Sequence, residues 1–332
     1  MPFKHLIGRL PLDGWRRLNR SVLLHRAVLL VWSLFRAVLV IGISFVIVYP
    51  LFEKLSMMFK PQEDIYNLNV IWIPQHPTLQ NIKDVMTVMQ YGSTVFHTFL
   101  LSGLTMLLLT VTCALAGYAF ARLKFPGSGL LFACVIFTIV VPPQTVMLPN
   151  YLNFKSFDPL GLATLVSGGG WNLIGTYWPF ALSSVLGMGL KAGLYVFIFR
   201  QFFRGMPKEL EEAALVDGAG MFGIFARIMM PNAIPATITV MLFAFVWQWN
   251  DIFYTSMYMS GADVMSVKLS TLPVYMQKYA FPEELSAAQL DPFYMSILMN
   301  TGLLLAVLPL IVLYALVQKY FVESVERTGV VG

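Results

Sequence analysis

Charge is scarce in this 332-residue chain: Asp, Glu, Lys and Arg together make up 12% of it, about half the share in an ordinary soluble domain. Cysteine is nearly absent. Cys113 and Cys134 both fall inside apolar runs, so neither a disulfide framework nor a zinc spacing exists. The four histidines, His5, His25, His76 and His97, have no metal-ligand spacing between them. The pattern G-x-x-x-x-G-K-[ST] does not occur, which excludes a P-loop ATP site on this chain. The Gly168-Gly169-Gly170 run follows no strand and so has no phosphate-binding context. The polar loops hold no nucleophile–base constellation, and catalysis is not expected. A long internal repeat of the kind many secondary transporters carry is missing too.

What the chain has in quantity is apolar sequence. Hydrophobic residues make up 58%, and the mean hydropathy is +0.71. They gather into six runs: Ala37–Phe52, Phe96–Phe120, Gly129–Leu148, Pro179–Phe203, Ile234–Met259 and Tyr294–Gln318. Most reach the ~20 residues that span the apolar core of a bilayer. The first is short, and Trp32 to Phe35 can extend it. The expected fold is an all-α polytopic membrane protein of six transmembrane helices. Pro142-Pro143 interrupts the third run, freeing backbone carbonyls and permitting a bend. Trp72, Trp171, Tyr177 and Trp178 sit at run ends and read as an interfacial belt.

Basic residues set the orientation. Lys4, Arg9, Arg16, Arg17, Arg20, Arg26 and Arg36 precede or open the first run, and Arg122 and Lys124 follow the second. Arg200, Arg204, Lys208 and Arg227 lie between the fourth and fifth runs, with Lys319 and Arg327 after the sixth. Fifteen of the 22 Lys and Arg thus fall on one side of a six-span chain, which the positive-inside rule assigns to the cytoplasm. Both termini are expected there. The net charge of +5 follows from this topology, and nucleic acid is not called for. The amino-terminal segment lacks the pattern of a cleavable signal. Leu10, Trp15, Leu18, Leu23 and Leu24 among its arginines fit an interfacial helix on anionic lipid, and a flexible basic tail fits equally.

One polar loop on the cytoplasmic side is distinctive. It reads Pro207-Lys-Glu-Leu-Glu211-Glu212-Ala213-Ala214-Leu-Val-Asp217-Gly218, then nine residues, then Ile228-Met-Met-Pro231. Pro207 suits the first position of a helix. Glu209, Glu211 and Glu212 complement the positive end of its dipole. Ala213 and Ala214 leave room for a partner surface, and Gly218 and Gly220 allow a sharp turn. A second short helix, about Met221 to Met230, is expected to end at Pro231. The spacing of Glu212-Ala213-Ala214, Gly218, Ile228 and Pro231 resembles the EAA loop of ABC-importer permeases, with Met230 where the family usually has Leu. An ordinary helical hairpin on the surface is the plainer reading of the same residues.

Further stretches carry the resemblance. They are Tyr118-Ala-Phe-Ala-Arg122-Leu-Lys-Phe-Pro126-Gly127, Val141-Pro142-Pro143-Gln144, Phe199-Arg200-Gln201-Phe202-Phe203, Trp249-Asn250-Asp251 and Gln318-Lys319-Tyr320-Phe321-Val322. From about residue 93 onward the chain resembles the MalG-like carbohydrate permeases of the maltose and multiple-sugar class, although its ending, Glu323 to Gly332, departs from them. The resemblance implies a type I ABC-importer permease fold with cytoplasmic EAA coupling helices. It divides the chain into a basic amino-terminal segment (1–36), a first helix with external loop (37–92), a five-helix permease core (93–318) and a cytoplasmic tail (319–332). It implies a bacterial inner-membrane subunit that is not itself an enzyme. Its partners would be a second homologous permease, a dimeric ABC ATPase, an extracytoplasmic solute-binding protein and a carbohydrate. No cofactor is expected on this chain, ATP and Mg belonging to the ATPase. The residues coupling to that ATPase would be Glu211, Glu212, Ala213, Ala214, Asp217, Gly218, Ile228 and Pro231.

Polar residues within the apolar runs are the remaining candidates, since they usually face protein or water. Lys191 precedes Arg200 by nine residues, which in a continuous helix places it ~13 Å deeper. Asn250 and Asp251 lie in the next run. Lys191, Asn250 and Asp251 are therefore candidates for the translocation path, and a structural ion pair between Lys191 and Asp251 is the competing reading. An ion-coupled secondary carrier or channel would use the same charges, but has no reason to carry the acidic loop.

Overall fold

A computed structural model describes residues 12–67, 73–280 and 291–329, and the side chains of 25–67, 73–280 and 291–319. Lys4, Arg9, Leu10 and Trp72 lie outside the described residues, as do the side chains of Trp15, Arg16, Arg17, Leu18, Arg20, Leu23, Leu24 and Arg327.

The described residues form helices, with one isolated bridge between Phe157 and Trp171. In chain order they are α1 (Leu12–Met58), α2 (Gln80–Val88), α3 (Tyr91–Arg122), α4 (Ser128–Val140), α5 (Pro143–Lys155), α6 (Leu162–Ser167), α7 (Trp178–Val185) and α8 (Ala192–Gly205). There follow α9 (Glu209–Val216), α10 (Met221–Ile224), a π-helical turn (Phe225–Met229), α11 (Met230–Asn232), α12 (Ile234–Trp249), α13 (Phe253–Tyr258), α14 (Met265–Ala280) and α15 (Pro292–Gly329).

The long helix α1 packs against α15. From Val28 to Phe52 its apolar side chains point outward on nearly every side, as suits a helix bathed in acyl chains. It runs unbroken from Leu12, so the boundary expected at residue 36 falls inside one helix. The boundary expected at 318 likewise falls inside α15.

Three helices among the described residues, α1, α3 and α15, are long and apolar enough to cross a membrane. Two bent pairs raise the number to as many as five. Helices α4 and α5 meet at 101°, a bend at the proline pair that interrupts the third run, because Pro143 opens a new helix and Pro142 is held extended. The segment Met221–Asn232 meets α12 at 80°. The run Pro179–Phe203 is not one helix but α7 and α8, separated at Leu186–Lys191, and the fifth run breaks between Trp249 and Phe253.

The core centres on α3, which α8 and α12 flank. Gly117 of α3 lets α8 approach so closely that a Cβ there would lie 2.5 Å from Phe199 Cβ and 3.0 Å from the Arg200 backbone nitrogen. Cys113, Ala114, Tyr195, Phe199 and Phe203 fill this seam, as small and large residues interleave in membrane helix pairs. A second cluster joins Met89, Phe245, Trp249, Met265 and Leu298, and Trp249 Nε1 donates across it to Ala306 O at 3.1 Å. Some buried hydroxyls donate to nearby backbone carbonyls, whereas those of Ser102, Thr110 and Tyr195 have no hydrogen-bond partner among the described residues. Thr94, Thr105 and Thr301 donate to the carbonyls of Met89, Leu101 and Ile297.

Candidate functional site

The loop from Pro207 to Pro231 is built from the sequence features that single it out, with adjustments. Helix α9 begins at Glu209 with Lys208 as its cap, so Pro207 precedes the first turn instead of opening it. Glu209, Glu211 and Glu212 all stand in that first turn, where their charge favours the helix. At the other end the Ala219 N–H donates to Ala214 O at 2.9 Å and the Gly218 N–H to Leu215 O at 3.1 Å. This pair of bonds is a Schellman motif, which needs a left-handed residue after the cap. Gly218 supplies it with φ of 80°. Gly220 is extended and serves as the cap of α10, so only one of the two glycines needs its freedom. The second helix does not stop at Pro231. It passes through a π turn over Phe225–Met229, Pro231 lies inside α11, and the bend falls at Ala233.

The loop is tied inward by few residues. Ala214 is buried, and Ile228 packs against the α3–α8–α12 core with Phe225 and Met229. The Tyr118 ring meets both Phe203 and Phe225 edge-on or tilted. Glu212, Ala213, Asp217, Gly218 and Pro231 are exposed. Beside them Leu215, Val216, Met221 and Phe222 are exposed, Val216 at 87% and Phe222 at 75%. Apolar groups clustered beside exposed carboxylates form a surface that a protein partner covers well.

Glu211 turns the other way. Its Oε1 lies 3.4 Å from Arg122 Nε as an ion pair without hydrogen-bond geometry, and both side chains are largely buried. Arg122 also donates from its second amino group to Met206 O at 2.6 Å. One guanidinium therefore joins the end of α3, the end of α8 and the start of α9. The sequence quotes Arg122 only as part of a motif, and nothing in linear spacing pairs it with a residue 89 positions away. Replacing Arg122 by Met is expected to lower stability by about 3 kcal/mol, because Glu211 then loses its counter-charge in a place where water reaches it poorly. The double change Arg122→Met with Glu211→Gln should recover most of that loss in thermal melts of the purified protein. If the double variant melts no higher than the single one, the pair is not the source of the effect.

The candidate path residues are brought near one another, but not as the ion pair considered above. Lys191 is not mid-helix. It caps α8 in a left-handed conformation with φ of 61°, and its ammonium lies 4.7 Å from the centre of the Trp247 ring. Asp251 is buried and engaged by α13: its Oδ2 accepts the Thr255 N–H and hydroxyl, each at 2.8 Å, and its Oδ1 the Tyr254 N–H at 3.4 Å. Among the described residues Lys191 and Asp251 make no ion pair, since the carboxylate is occupied as a helix cap. Both line one cavity of about 510 Å³. Asn250 does not; it is exposed and donates to Val246 O at 2.9 Å.

Residues 113–327 match the family described as binding-protein-dependent transport system inner membrane component. The chain belongs to that family. Its match takes in the whole Pro207–Pro231 loop and the cavity. As a member, the chain is a helical membrane permease subunit of a transport system, and an ion-coupled carrier is not favoured.

Individual relatives are distant but matched over most of their length. The osmoprotective compounds uptake permease protein GgtD of Synechocystis is 28% identical over 86% of this chain and 88% of its own. The melibiose/raffinose/stachyose import permease protein MelC of Bacillus subtilis is 29% identical over 79% and 84%. The arabinooligosaccharides transport system permease protein AraQ of Halalkalibacterium halodurans is 25% identical over 87% and 93%. Among solved structures, a bacterial ABC transporter involved in the import of the acidic polysaccharide alginate superposes with a TM-score of 0.65 at 21% identity. It covers 88% of this chain and 96% of that one, and supports the family's fold.

Proposed function

We propose that this family member is one membrane half of an ATP-driven carbohydrate importer of six crossings, paired with a second homologous permease. What carries the reading is the α9–turn–α10 element, whose exposed apolar side chains and acidic groups sit together on a loop bordered by Arg204, Lys208 and Arg227. A dimeric ABC ATPase docks there through Glu212, Ala213, Asp217, Gly218 and their apolar neighbours. Glu211, Ala214 and Ile228 fix the loop to the core, and Pro231 stands exposed just before the bend into α12. The sugars in the names of MelC and AraQ support a carbohydrate as the solute. ATP and Mg reside on the ATPase, and this chain performs no chemistry. ATP-driven closure of the ATPase draws the two docking loops together, turns the spans that continue from them, and opens the path toward a loaded solute-binding protein outside. Product release resets the path inward. Lys191 and Asp251 belong to that path; Asn250 borders it.

Topology tests this reading. With Cys113 and Cys134 replaced, single cysteines at Gln75 and Lys278 should react with a membrane-impermeant maleimide added to intact cells. Cysteines at Arg17, Lys208 and Arg327 should react only after the membrane is opened. Labelling at Lys208 from outside would put the loop beyond reach of a cytoplasmic ATPase and end the assignment.

A further inference from the structure

Three helix breaks converge on the 510 Å³ cavity: Val141 and Pro143 from the α4–α5 bend, Gly187 to Lys191 from the α7–α8 gap, and Asp251 from the α12–α13 gap. Broken backbone is tolerated at membrane depth where it is buried in protein or lines a wet cavity. The volume falls within the ~300–1,000 Å³ range of small-molecule sites, enough for a solute of about one or two rings. Tyr254, Tyr258 and Phe180 supply apolar and aromatic wall.

The polar groups on this wall are unevenly committed. Gln248 lines the cavity at only 6% exposure, and its Nε2 has no hydrogen-bond partner among the described residues. A buried amide donor of this kind calls for an acceptor. Lys191 projects its cation from a left-handed backbone and has an aromatic face beside it but no carboxylate within ion-pair reach among the described residues. The Asp251 carboxylate is tied to Thr255 and Tyr254. Two uncommitted donors, one of them cationic, thus face a cavity whose acidic group is already satisfied.

We propose that this cavity is a solute pocket on this chain for a carboxylate-bearing sugar, with Lys191 and Gln248 donating to the solute's oxygens and Asp251 holding α13 as its wall. The inference rests on the importer reading above and adds that this permease half itself holds the solute. Trp247 beneath the Lys191 ammonium keeps the cation in place and supplies an optical reporter.

The test uses the complete importer complex in nanodiscs without nucleotide or binding protein, with digalacturonate and maltose as probes of equal ring number. Digalacturonate should bind saturably by calorimetry and change tryptophan emission, and maltose should bind about tenfold or more weakly. Lys191→Met and Gln248→Leu should each weaken digalacturonate binding by about tenfold or more, while Lys191→Arg retains most of it. Monodisperse elution of each variant complex separates lost binding from lost folding. Absence of saturable digalacturonate binding, or binding indifferent to both Lys191→Met and Gln248→Leu, overturns the pocket. So does tighter binding of maltose. Failure of any ATPase to co-purify with the wild-type chain would instead overturn the importer reading beneath it.

Discussion

Gly218→Val is expected to leave the permease in the membrane and abolish most of its ATP-coupled transport. The reason is conformational and not steric, because a Cβ at this position would meet nothing within 4 Å. What valine cannot do cheaply is hold φ of 80°. A left-handed residue costs an L-amino acid roughly 1–2 kcal/mol, and β-branching raises that further. A shift of that size changes the population of the formed turn by about 5- to 30-fold. Helix α9 has eight residues and is anchored inward mainly through Ala214 and Glu211, so little else restores its direction. The companion Gly218→Asn separates the two explanations, since asparagine visits the left-handed region readily. Transport and solute-stimulated ATPase activity in vesicles should fall by about tenfold or more in Gly218→Val and stay near normal in Gly218→Asn. Normal coupling in Gly218→Val would mean that the turn is not the element through which force passes.

The form of this loop was legible because its determinants are local. An acidic first turn, small residues and a glycine at the helix end each act within a few residues, and together they place α9 and its Schellman turn. The proline pair at 142–143 was legible for the same reason, although not the 101° size of the bend. Hydropathy failed where polarity and backbone disagree. Residues 179–203 are apolar throughout most of their length, yet the chain leaves the helix over Leu186–Lys191, with Gly187 and Lys191 both left-handed. Three glycines in seven residues were the available signal. Asn250-Asp251 is a similar signal in the fifth run, where Asn250 caps the end of α12 and Asp251 accepts N–H groups at the start of α13. Linear spacing therefore places Lys191 deep along a continuous helix, whereas it stands at a break. Tertiary pairings such as Arg122 with Glu211 had no local signature at all.

Gly117→Leu is expected to cause a large loss of stability, and Gly117→Ala already reveals why. In a helix interior alanine ordinarily stabilises relative to glycine by up to about 1 kcal/mol. Gly103, on the same helix α3, has open space where a Cβ would go, so Gly103→Ala should raise the melting temperature or leave it unchanged. At Gly117 the sign should reverse. The added Cβ would meet Phe199 Cβ at 2.5 Å, Arg200 N at 3.0 Å and Phe199 C at 3.2 Å. None of these atoms moves with a change of rotamer, so α3 and α8 must separate, at a cost of about 1–3 kcal/mol for alanine and more for leucine. The separation would not stay local. Arg122, five residues further along α3, holds Met206 and Glu211, and α8 leads directly into the α9 loop. Gly117→Leu should therefore lower expression sharply, and any protein recovered should fail to retain the ATPase. Gly117→Ala should melt below wild type while Gly103→Ala does not. Equal melting of the two alanine variants would show that α3 and α8 do not approach as closely as Gly117 allows.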